Sequence, residues 1–425
     1  MERRVVITGL GVISPNGTTL ADFNNALKHG ISGIRHQPDL AALGFSCQIA
    51  GKPELSDARI AEYFNALEIR NLDATGIVYG VIAALDAWAD AGLNFAAADE
   101  PFWDCGISFG TGTSGIDKFR WAMNKIDALE VRKIGSSVVG QVMNGAVSAF
   151  IAGKIGLGNQ ISTNSSACAT GTESVIMAYE RIKLGTATRI LAGSTSDSGP
   201  YIWGGFDAMK ICPYQFNDNP EKASRPFSAT ASGFVPGAGA GALVLEDLET
   251  ALERGAKIYG EVLGGHVNSG GQRGSGTMTA PNSVAVKRCI TKALESANTF
   301  AKDVEVINGH LTATAKDGLE VLNWKQALGR YKDNFPFINS IKGMIGHCIS
   351  GAGSIECVAS VLQLYEGFIF PNINCEDLHP EITDLIDAGK IPQQMIKKDF
   401  SILAKASFGF GDVNACLILK KYPNG

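Results

Sequence analysis

Short apolar runs alternate with segments of helical periodicity along the chain. In the first half, four runs predict buried strands: Val5–Thr8, Gly106–Phe109, Ile190–Ala192 and Ala242–Leu245. Residues 74–92 and 172–184 predict helices, because apolar positions such as Val175, Tyr179 and Ile182 recur at i, i+4 and i+7. This alternation predicts an α/β fold in which layers of helices cover a sheet.

A charged segment over residues 246–255 follows a glycine run over residues 237–241 and predicts a junction between two halves. The N-terminal half would then span residues 1–255 and the C-terminal half residues 256–425. Strands in the second half are predicted at Ile258–Leu263, Val304–Ile307, Phe337–Ser340 and Cys416–Leu419. The absence of a Pro-rich, Ser-rich or single-sign linker predicts close packing of the halves, although residue identity shows no internal repeat.

Composition excludes several classes of protein. The net charge of −5 argues against nucleic acid as a partner, since phosphate binding requires a basic excess. Nine widely spaced cysteines without a C-x-x-C pair predict neither a disulfide framework nor a zinc site, and favour buried thiols in a reducing cytoplasm. No apolar stretch reaches the ~18 residues of a membrane span, and the N-terminal residues show no signal-peptide pattern.

Two glycine motifs have plain structural interpretations. Gly9-Leu-Gly11 follows a strand but lacks the third glycine and the acidic residue of a dinucleotide loop, so a structural turn is the better prediction. Gly106-Ile-Ser108-Phe-Gly110 matches the G-x-S-x-G elbow of hydrolases, a match that chance readily produces in a chain with 50 glycines. No Walker A pattern occurs in the sequence.

Cys168 differs from the other cysteines in its surroundings. It lies in a tract of small polar residues, Ser162–Gly171, between a short strand and a predicted helix. A thiol at a helix N-terminus faces exposed backbone N–H groups and the positive end of the helix dipole, and both favour the thiolate. The small neighbours leave room for a bulky acyl group. We therefore take Cys168 as a candidate nucleophile.

Two of the six histidines, His310 and His347, lie in glycine- and hydroxyl-rich tracts just after predicted strands. Parallel α/β sheets gather active-site residues at the carboxyl ends of their strands, so these side chains are expected to converge. A lone histidine at a strand end is more often structural. Two in matching positions, together with Cys168, predict a Cys-His-His set.

Motifs in order along nearly the whole chain resemble those of the β-ketoacyl-acyl carrier protein synthases, condensing enzymes of the thiolase fold. The matching segments are Val6–Val12, Ser166–Thr170, Phe206–Met209, Asn217–Phe227, Lys342–His347, Gly367–Asn374 and Ser407–Gly411. Asn217–Phe227 and Gly367–Asn374 resemble synthase I more than synthase II. The resemblance implies two pseudo-duplicated halves in a layered α-β-α-β-α core.

The resemblance further implies a ping-pong decarboxylative Claisen condensation. Cys168 would take an acyl chain from a carrier-protein thioester, and the enolate of malonyl-carrier protein would then attack it to give a 3-oxoacyl product. His310 and His347 would bind the malonyl carbonyl through Nε2–H and stabilise the enolate. No cofactor and no metal are implied, since both substrates arrive on the phosphopantetheine arm of acyl carrier protein.

Supporting roles also follow from the resemblance. Backbone N–H groups of Cys168 and Phe410 would stabilise the tetrahedral intermediate, and Lys342 beside Glu356 matches the family's buried ion pair. The hydroxyls expected to bind the phosphopantetheine arm are those of Thr312 and Thr314. The residues expected to line the acyl pocket are Thr113, Met143, Phe206 and Phe234, with Met143 reaching across a dimer interface.

Two departures from the family motifs concern the substrate. Leu311 replaces a glycine beside His310, which implies less room or a different backbone turn. Asp412 replaces a hinge glycine and adds a charge near the loop that admits substrate. These changes predict a specialised synthase, for a polyene or another secondary lipid, rather than the housekeeping fatty-acid enzyme.

Three alternatives share the fold. The chain could be the ketosynthase subunit of a heterodimer with a chain-length-factor paralogue, rather than a homodimer. A non-catalytic carrier-binding subunit typically lacks the cysteine, so Cys168 argues against it. Thiolase-type enzymes that use CoA replace one histidine with a second cysteine. Basic residues proposed to dock an acidic carrier protein are Arg70, Arg132 and Lys133, although a solvated surface explains each equally well.

Overall fold

The strands predicted from apolar runs all form, and within the described part of the chain they belong to one ten-stranded sheet. A computed structural model describes residues 3–423. The strands are β1 (Val5–Ile13), β2 (Ile34–His36), β3 (Ile49–Gly51), β4 (Cys105–Thr111), β5 (Ile161–Ser162), β6 (Arg189–Ser196), β7 (Gly239–Asp247), β8 (Gly260–Ser269), β9 (Val306–Asn308), β10 (Phe337–Asn339), β11 (Phe368–Ile369), β12 (Ile396–Lys397), β13 (Ile402–Gly409) and β14 (Val413–Lys420).

The two predicted helices also form, with ends that differ from the prediction by one or two residues. The helices are α1 (Leu20–His29), α2 (Pro38–Ala42), α3 (Asp57–Ala61), α4 (Ala66–Arg70), α5 (Thr75–Asp90), α6 (Ile116–Asp127), α7 (Val139–Val142), α8 (Ala146–Ile155), α9 (Thr170–Lys183), α10 (Pro200–Ala208), α11 (Leu248–Glu253), α12 (Ser283–Ser296), α13 (Asp317–Leu328), α14 (Lys342–Ile345), α15 (Ala352–Glu366) and α16 (Pro380–Thr383).

The order of the strands reveals a duplication that residue identity does not show. Across the sheet the first half runs β5-β4-β6-β7-β1, and the second half runs β10-β9-β13-β14-β8. In each half the first three strands pair in parallel and the remaining pairs are antiparallel. The halves join where Val5–Ile7 of β1 pairs with β8. The chain therefore contains two five-stranded units of the same topology.

Helices cover both faces of the sheet and fill the space between its halves. α5 and α8 pack on the first half, and α12 packs on β8 and β14 of the second half with α13 beside it. α9 and α15 contact each other and strands from both halves. Three clusters of buried apolar side chains occupy the resulting interfaces. The expected α-β-α-β-α layering is confirmed, because α9 and α15 lie between the two halves of the sheet, which join at β1 and β8.

The structure changes the interpretation of the two glycine motifs. Gly9 and Gly11 lie inside β1 rather than in a turn, so the turn prediction was wrong. A Cβ at Gly9 would lie 2.1 Å from the carbonyl oxygen of Ala87, and one at Gly11 would lie 1.9 Å from that of Ala83. Glycine is needed there because α5 packs directly on the strand. Ser108 is buried inside β4 and forms no exposed elbow.

All nine cysteines are buried and unpaired, as predicted for this chain. Among the described residues no single helix has the length and apolar content to cross a membrane. One pair of segments, Ser136–Val142 and Ala146–Ile155, passes that test together but is bent by 101°.

Candidate active site

The ends of several strands deliver the predicted catalytic side chains to one place. Cys168 follows β5, His310 follows β9, and His347 follows β10 and the short helix α14. The sulfur of Cys168 and one ring nitrogen from each histidine lie within 4.8 Å of one another. The structure therefore confirms that these three residues converge, as expected for residues beyond the carboxyl ends of strands.

Cys168 occupies a single helical turn, Ala167–Ala169, immediately before α9. Ala167 has φ +47°, a left-handed conformation that is unfavourable for a residue with a side chain. Burial raises the pKa of the Cys168 thiol to about 11, although the backbone N–H of Phe410 and the Lys342 ammonium lower it. The expected thiolate is thus not the resting form, because the loss of hydration outweighs the favourable N–H groups.

The imidazoles of His310 and His347 are buried and meet edge to face, with ring centroids 5.3 Å apart. Burial lowers the pKa of both rings well below the usual value, and the nearby ammonium of Lys342 lowers both further. Both histidines are therefore neutral at pH 7, so each carries one N–H donor and one acceptor nitrogen.

Backbone groups fix the orientation of His347. The ring Nδ1 of His347 accepts a hydrogen bond from the backbone N–H of Ile349 at 3.0 Å. The backbone N–H of His347 donates to the Val235 carbonyl at 2.7 Å. An accepting Nδ1 in a neutral ring places the proton on Nε2. The Nδ1 of His310 has no hydrogen-bond partner among residues 3–423.

Lys342 and Glu356 form the expected buried ion pair, and each side chain is 1 % exposed. Lys342 Nζ also donates to the main-chain carbonyl of His310 at 2.6 Å and so fixes the backbone of this histidine. A second ammonium, Lys405 of β13, lies 2.7 Å from the other oxygen of Glu356. The sequence-based prediction missed Lys405, although a lysine within an apolar strand is a signal for a buried charge pair.

Two buried carboxylates shape the segment after His310. Glu320 accepts the N–H groups of His310 and Leu311, both at 2.7 Å, and Asp317 accepts those of Thr312 and neighbouring residues. Burial raises the pKa of Glu320 to about 7 and that of Asp317 to about 6. The sequence-based prediction missed both roles, since they arise from the packing of α13 against the loop.

A cavity of about 500 Å³ opens onto the three converging residues. Predicted site residues that line it are Cys168, Phe206, Phe234, His310, Thr312, Thr314, His347 and Phe410. The hydroxyls of Thr312 and Thr314 lie 3.2 Å apart. The rings of Phe206 and Phe234 make an edge-to-face contact, with centroids 5.3 Å apart. The cavity thus combines an apolar wall with polar groups beside the nucleophile.

The structure does not bring Thr113 and Met143 to this cavity. Both side chains are exposed on the surface of the chain, and neither is among the residues that line it. Their assignment to an acyl pocket across a dimer interface stays a prediction. The basic residues Arg70, Arg132 and Lys133 are likewise exposed, and Lys133 pairs with Glu130 at 2.5 Å.

Leu311 does not narrow the cavity. Its side chain is 1 % exposed and packs into the buried cluster between the second half of the sheet and α12 and α13. Two residues on, Ala313 has φ +62°, a left-handed conformation that is unfavourable for a residue with a side chain. The departure from the family motif therefore changes the core beneath the loop rather than the space for substrate.

One thiol and two imidazoles are also ligands that Zn²⁺ accepts in catalytic sites. Burial holds the Cys168 thiol protonated and both imidazoles neutral. Threonine hydroxyls and aromatic side chains surround the same atoms. The donor set is therefore better matched to a thiol nucleophile beside two neutral N–H donors.

Comparisons with known proteins agree with this geometry. The family model "Beta-ketoacyl synthase, N-terminal domain" matches residues 2–251, and "Beta-ketoacyl synthase, C-terminal domain" matches residues 259–376. The chain is 34 % identical to 3-oxoacyl-[acyl-carrier-protein] synthase 2 of Vibrio harveyi over 99 % of both chains. It is 32 % identical to synthase 1 of Escherichia coli K12 over 99 % of both chains.

Solved structures give the same result. The ishigamide ketosynthase/chain length factor superposes with a TM-score of 0.88 at 28 % identity, over 100 % of both chains. A type II polyketide ketosynthase in complex with its acyl-carrier protein superposes with a TM-score of 0.87 at 28 % identity, over 99 % of this chain and 100 % of that one. The chain belongs to the β-ketoacyl synthase family of condensing enzymes.

Proposed function

We propose that the chain catalyses the decarboxylative condensation of a Cys168-bound acyl group with malonyl-acyl carrier protein. The observation that carries the proposal is the convergence of the Cys168 sulfur and the two histidine nitrogens within 4.8 Å, at a cavity of about 500 Å³. The product is a 3-oxoacyl-acyl carrier protein two carbons longer than the donor.

In the loading step the Cys168 sulfur attacks the thioester carbonyl, and the carrier's thiol leaves. Because the pKa of the thiol is raised to about 11, its proton departs as the new C–S bond forms and is taken up by the leaving sulfur. The backbone N–H groups of Cys168 and Phe410 face the sulfur and are placed to stabilise the oxyanion.

In the condensation step the bond between the malonyl α-carbon and its carboxylate breaks, and CO₂ leaves. The electron pair forms an enolate, whose oxygen accepts hydrogen bonds from the Nε2–H of His347 and from His310. The enolate carbon then attacks the acyl-enzyme carbonyl, and the Cys168 sulfur leaves as a thiolate, which takes up one proton from water to restore the resting thiol. Neutral imidazoles suit this role, since they donate N–H bonds to the developing charge without holding a resting anion.

Acyl carrier protein is the proposed partner, and no free cofactor takes part. The Thr312 and Thr314 hydroxyls lie together on the cavity wall, where they can bind the amides of a phosphopantetheine arm. The carrier supplies both thioesters, and breaking the carboxylate bond supplies the carbanion, so the chemistry balances without a redox or metal group. We place the reaction in a cytoplasmic pathway of fatty-acid, polyene or polyketide-type lipid synthesis.

We propose a dimer through the face that contains α6 and α7. These helices contact each other and expose large apolar side chains. Exposed apolar residues on or directly after these helices include Phe119, Ile126, Leu129, Val139 and Met143. A second copy of this chain is the proposed partner, and a chain-length-factor paralogue is the alternative, which the ketosynthase/chain length factor neighbour favours.

Intact-protein mass spectrometry tests the function directly. Wild type and Cys168→Ala are incubated with acyl-carrier proteins that carry saturated, unsaturated or aryl chains. A mass gain confined to wild type supports the acyl-enzyme, and the chain that loads fastest identifies the substrate class. Fastest loading of a conjugated chain would support the specialised synthase. The absence of any adduct would instead favour an obligate heterodimer or a non-catalytic binding subunit.

A further inference from the structure

Three charged side chains meet in the interior behind the active site. Glu356 on α15 lies between Lys342 on α14 and Lys405 on β13, and each side chain is at most 1 % exposed. Lys405 Nζ donates to the Ser407 hydroxyl at 2.9 Å and to the Ala406 carbonyl, and it lies 2.7 Å from the Glu356 carboxylate as an ion pair. One carboxylate between two ammonium groups leaves an excess of one positive charge.

Lys405 is connected both to the segment that contains Cys168 and to His310. Its strand leads directly into Gly409, where a Cβ would lie 3.1 Å from the backbone nitrogen of Cys168. Its hydrogen-bond partner Ser407 lies 2.9 Å from the Thr172 hydroxyl on α9, the helix that follows the nucleophile. Through Glu356 and Lys342 the same network reaches the His310 carbonyl.

We propose that Lys405 is a positioning residue for the condensation, whose ammonium gives the buried triad a net positive charge behind His310 and His347. The inference rests on the function proposed above. Without Lys405 the remaining Lys342–Glu356 pair would be neutral overall.

The physical effect is electrostatic. In a buried site of low dielectric constant, an uncompensated cation disfavours protonation of nearby imidazoles and favours negative charge on a nearby enolate. Lys405 does lower the pKa of both His310 and His347, in addition to burial and Lys342. Titratable or polar groups that lie around Lys405 are Glu356 and Cys357 on α15, Lys342 on α14, Thr172 on α9, Ser407 on β13 and Cys416 on β14. His310 also faces Glu320 on α13, which accepts its backbone N–H and whose carboxyl pKa burial raises to about 7. This carboxyl is present in wild type and in every Lys405 variant, so the shift between them reports the Lys405 charge.

The test is the pH dependence of malonyl-carrier protein decarboxylation. Lys405→Met removes the charge, and we expect the acid limb of the profile to move up by about one pH unit, with a rate loss of about tenfold. The limb moves upward because the histidines, relieved of a cation, protonate at higher pH. Lys405→Gln is a second neutral variant that keeps a donor to Glu356, should the methionine variant fold poorly.

Two further variants separate charge from packing. The double variant Lys405→Met/Glu356→Gln restores one net positive charge and should return the acid limb toward wild type. Lys154→Met is the matched control, since Lys154 is 21 % exposed and pairs with Glu68 at 3.2 Å on another part of the chain. We expect this control to lower the melting temperature without moving the limb.

Failure of the role of Lys405 and failure of the proposed function give different results. An acid limb that stays in place in both neutral variants, whatever their loss of rate or stability, would overturn the role of Lys405. Wild-type protein that forms no 3-oxoacyl product from acyl- and malonyl-carrier protein would overturn the proposed function itself, and the inference with it.

Discussion

The Asp412 carboxylate accepts the backbone N–H of Asn282 at 2.8 Å, and its second oxygen accepts that of Gln272 at 3.0 Å. Asp412 is fully buried and has φ +61°, a conformation that glycine adopts without strain. The residue that replaces the hinge glycine therefore does not add a surface charge. It ties the loop after Phe410 to the segment around residues 270–282, whose Thr279 and Pro281 line the cavity.

Asp412→Asn should loosen this connection. The amide offers only one oxygen to the two N–H donors, and the loss of a hydrogen bond to a charged group costs about 1.5–3 kcal/mol. We expect hydrogen exchange at Gln272 and Asn282 to rise by about tenfold or more, with an increased KM for malonyl-carrier protein. Asp303→Asn, at an exposed turn, is the control. Unchanged exchange at both amides would show that the loop is held by other contacts.

The sequence was sufficient to locate Cys168, His310 and His347, because chemically distinctive residues at strand ends converge in any parallel α/β arrangement. It was insufficient for Lys405 and Glu320, whose burial and partners depend on how α15 and α13 pack. The duplicated topology likewise leaves no trace in residue identity, since it resides in the strand order.

If the α6 and α7 face forms a dimer interface, a charged substitution there should convert the dimer into a monomer in solution. Val139 is 68 % exposed on the apolar face of α6 and α7, and Val139→Asp places a charge where a partner would exclude water. We expect wild type to elute as a dimer and the variant as a monomer in size-exclusion chromatography with light scattering. Leu184→Asp, at a position 78 % exposed elsewhere, is the control. A monomeric wild type would favour the heterodimer with a paralogue.

Glu320 predicts how stability changes with pH. Burial raises the pKa of its carboxyl from 4.5 to about 7, so between these values the folded state keeps a proton that the unfolded state has lost. This contribution to stability is present below pH 4.5 and is lost as pH rises to about 7.

Melting temperatures measured at pH 5 and pH 7 test whether stability falls as pH rises. Glu320→Gln should reduce the fall in melting temperature between these two pH values. The variant should also be less stable overall, because one amide oxygen cannot accept both the His310 and the Leu311 N–H. Asp317, whose pKa burial raises to about 6, should preserve part of the slope. Glu295→Gln at an exposed helix end controls for loss of a charge. An equal slope in wild type and Glu320→Gln would contradict the assignment.

The tautomer of His347 can be tested by two substitutions of opposite geometry. Gln places its amide nitrogen near the position of Nε2, whereas Asn places its polar atoms near Nδ1, which accepts from Ile349. If Nε2–H binds the enolate oxygen, His347→Asn should lose about 10²–10³ in decarboxylation rate, as expected for the loss of one oxyanion donor. His347→Gln should retain more activity than His347→Asn.

Loading of Cys168 should persist in both variants, because its oxyanion donors are backbone groups of Cys168 and Phe410. His266→Gln, away from the cavity, controls for the substitution itself. Equal activity of the Asn and Gln variants would place the catalytic proton elsewhere than on Nε2.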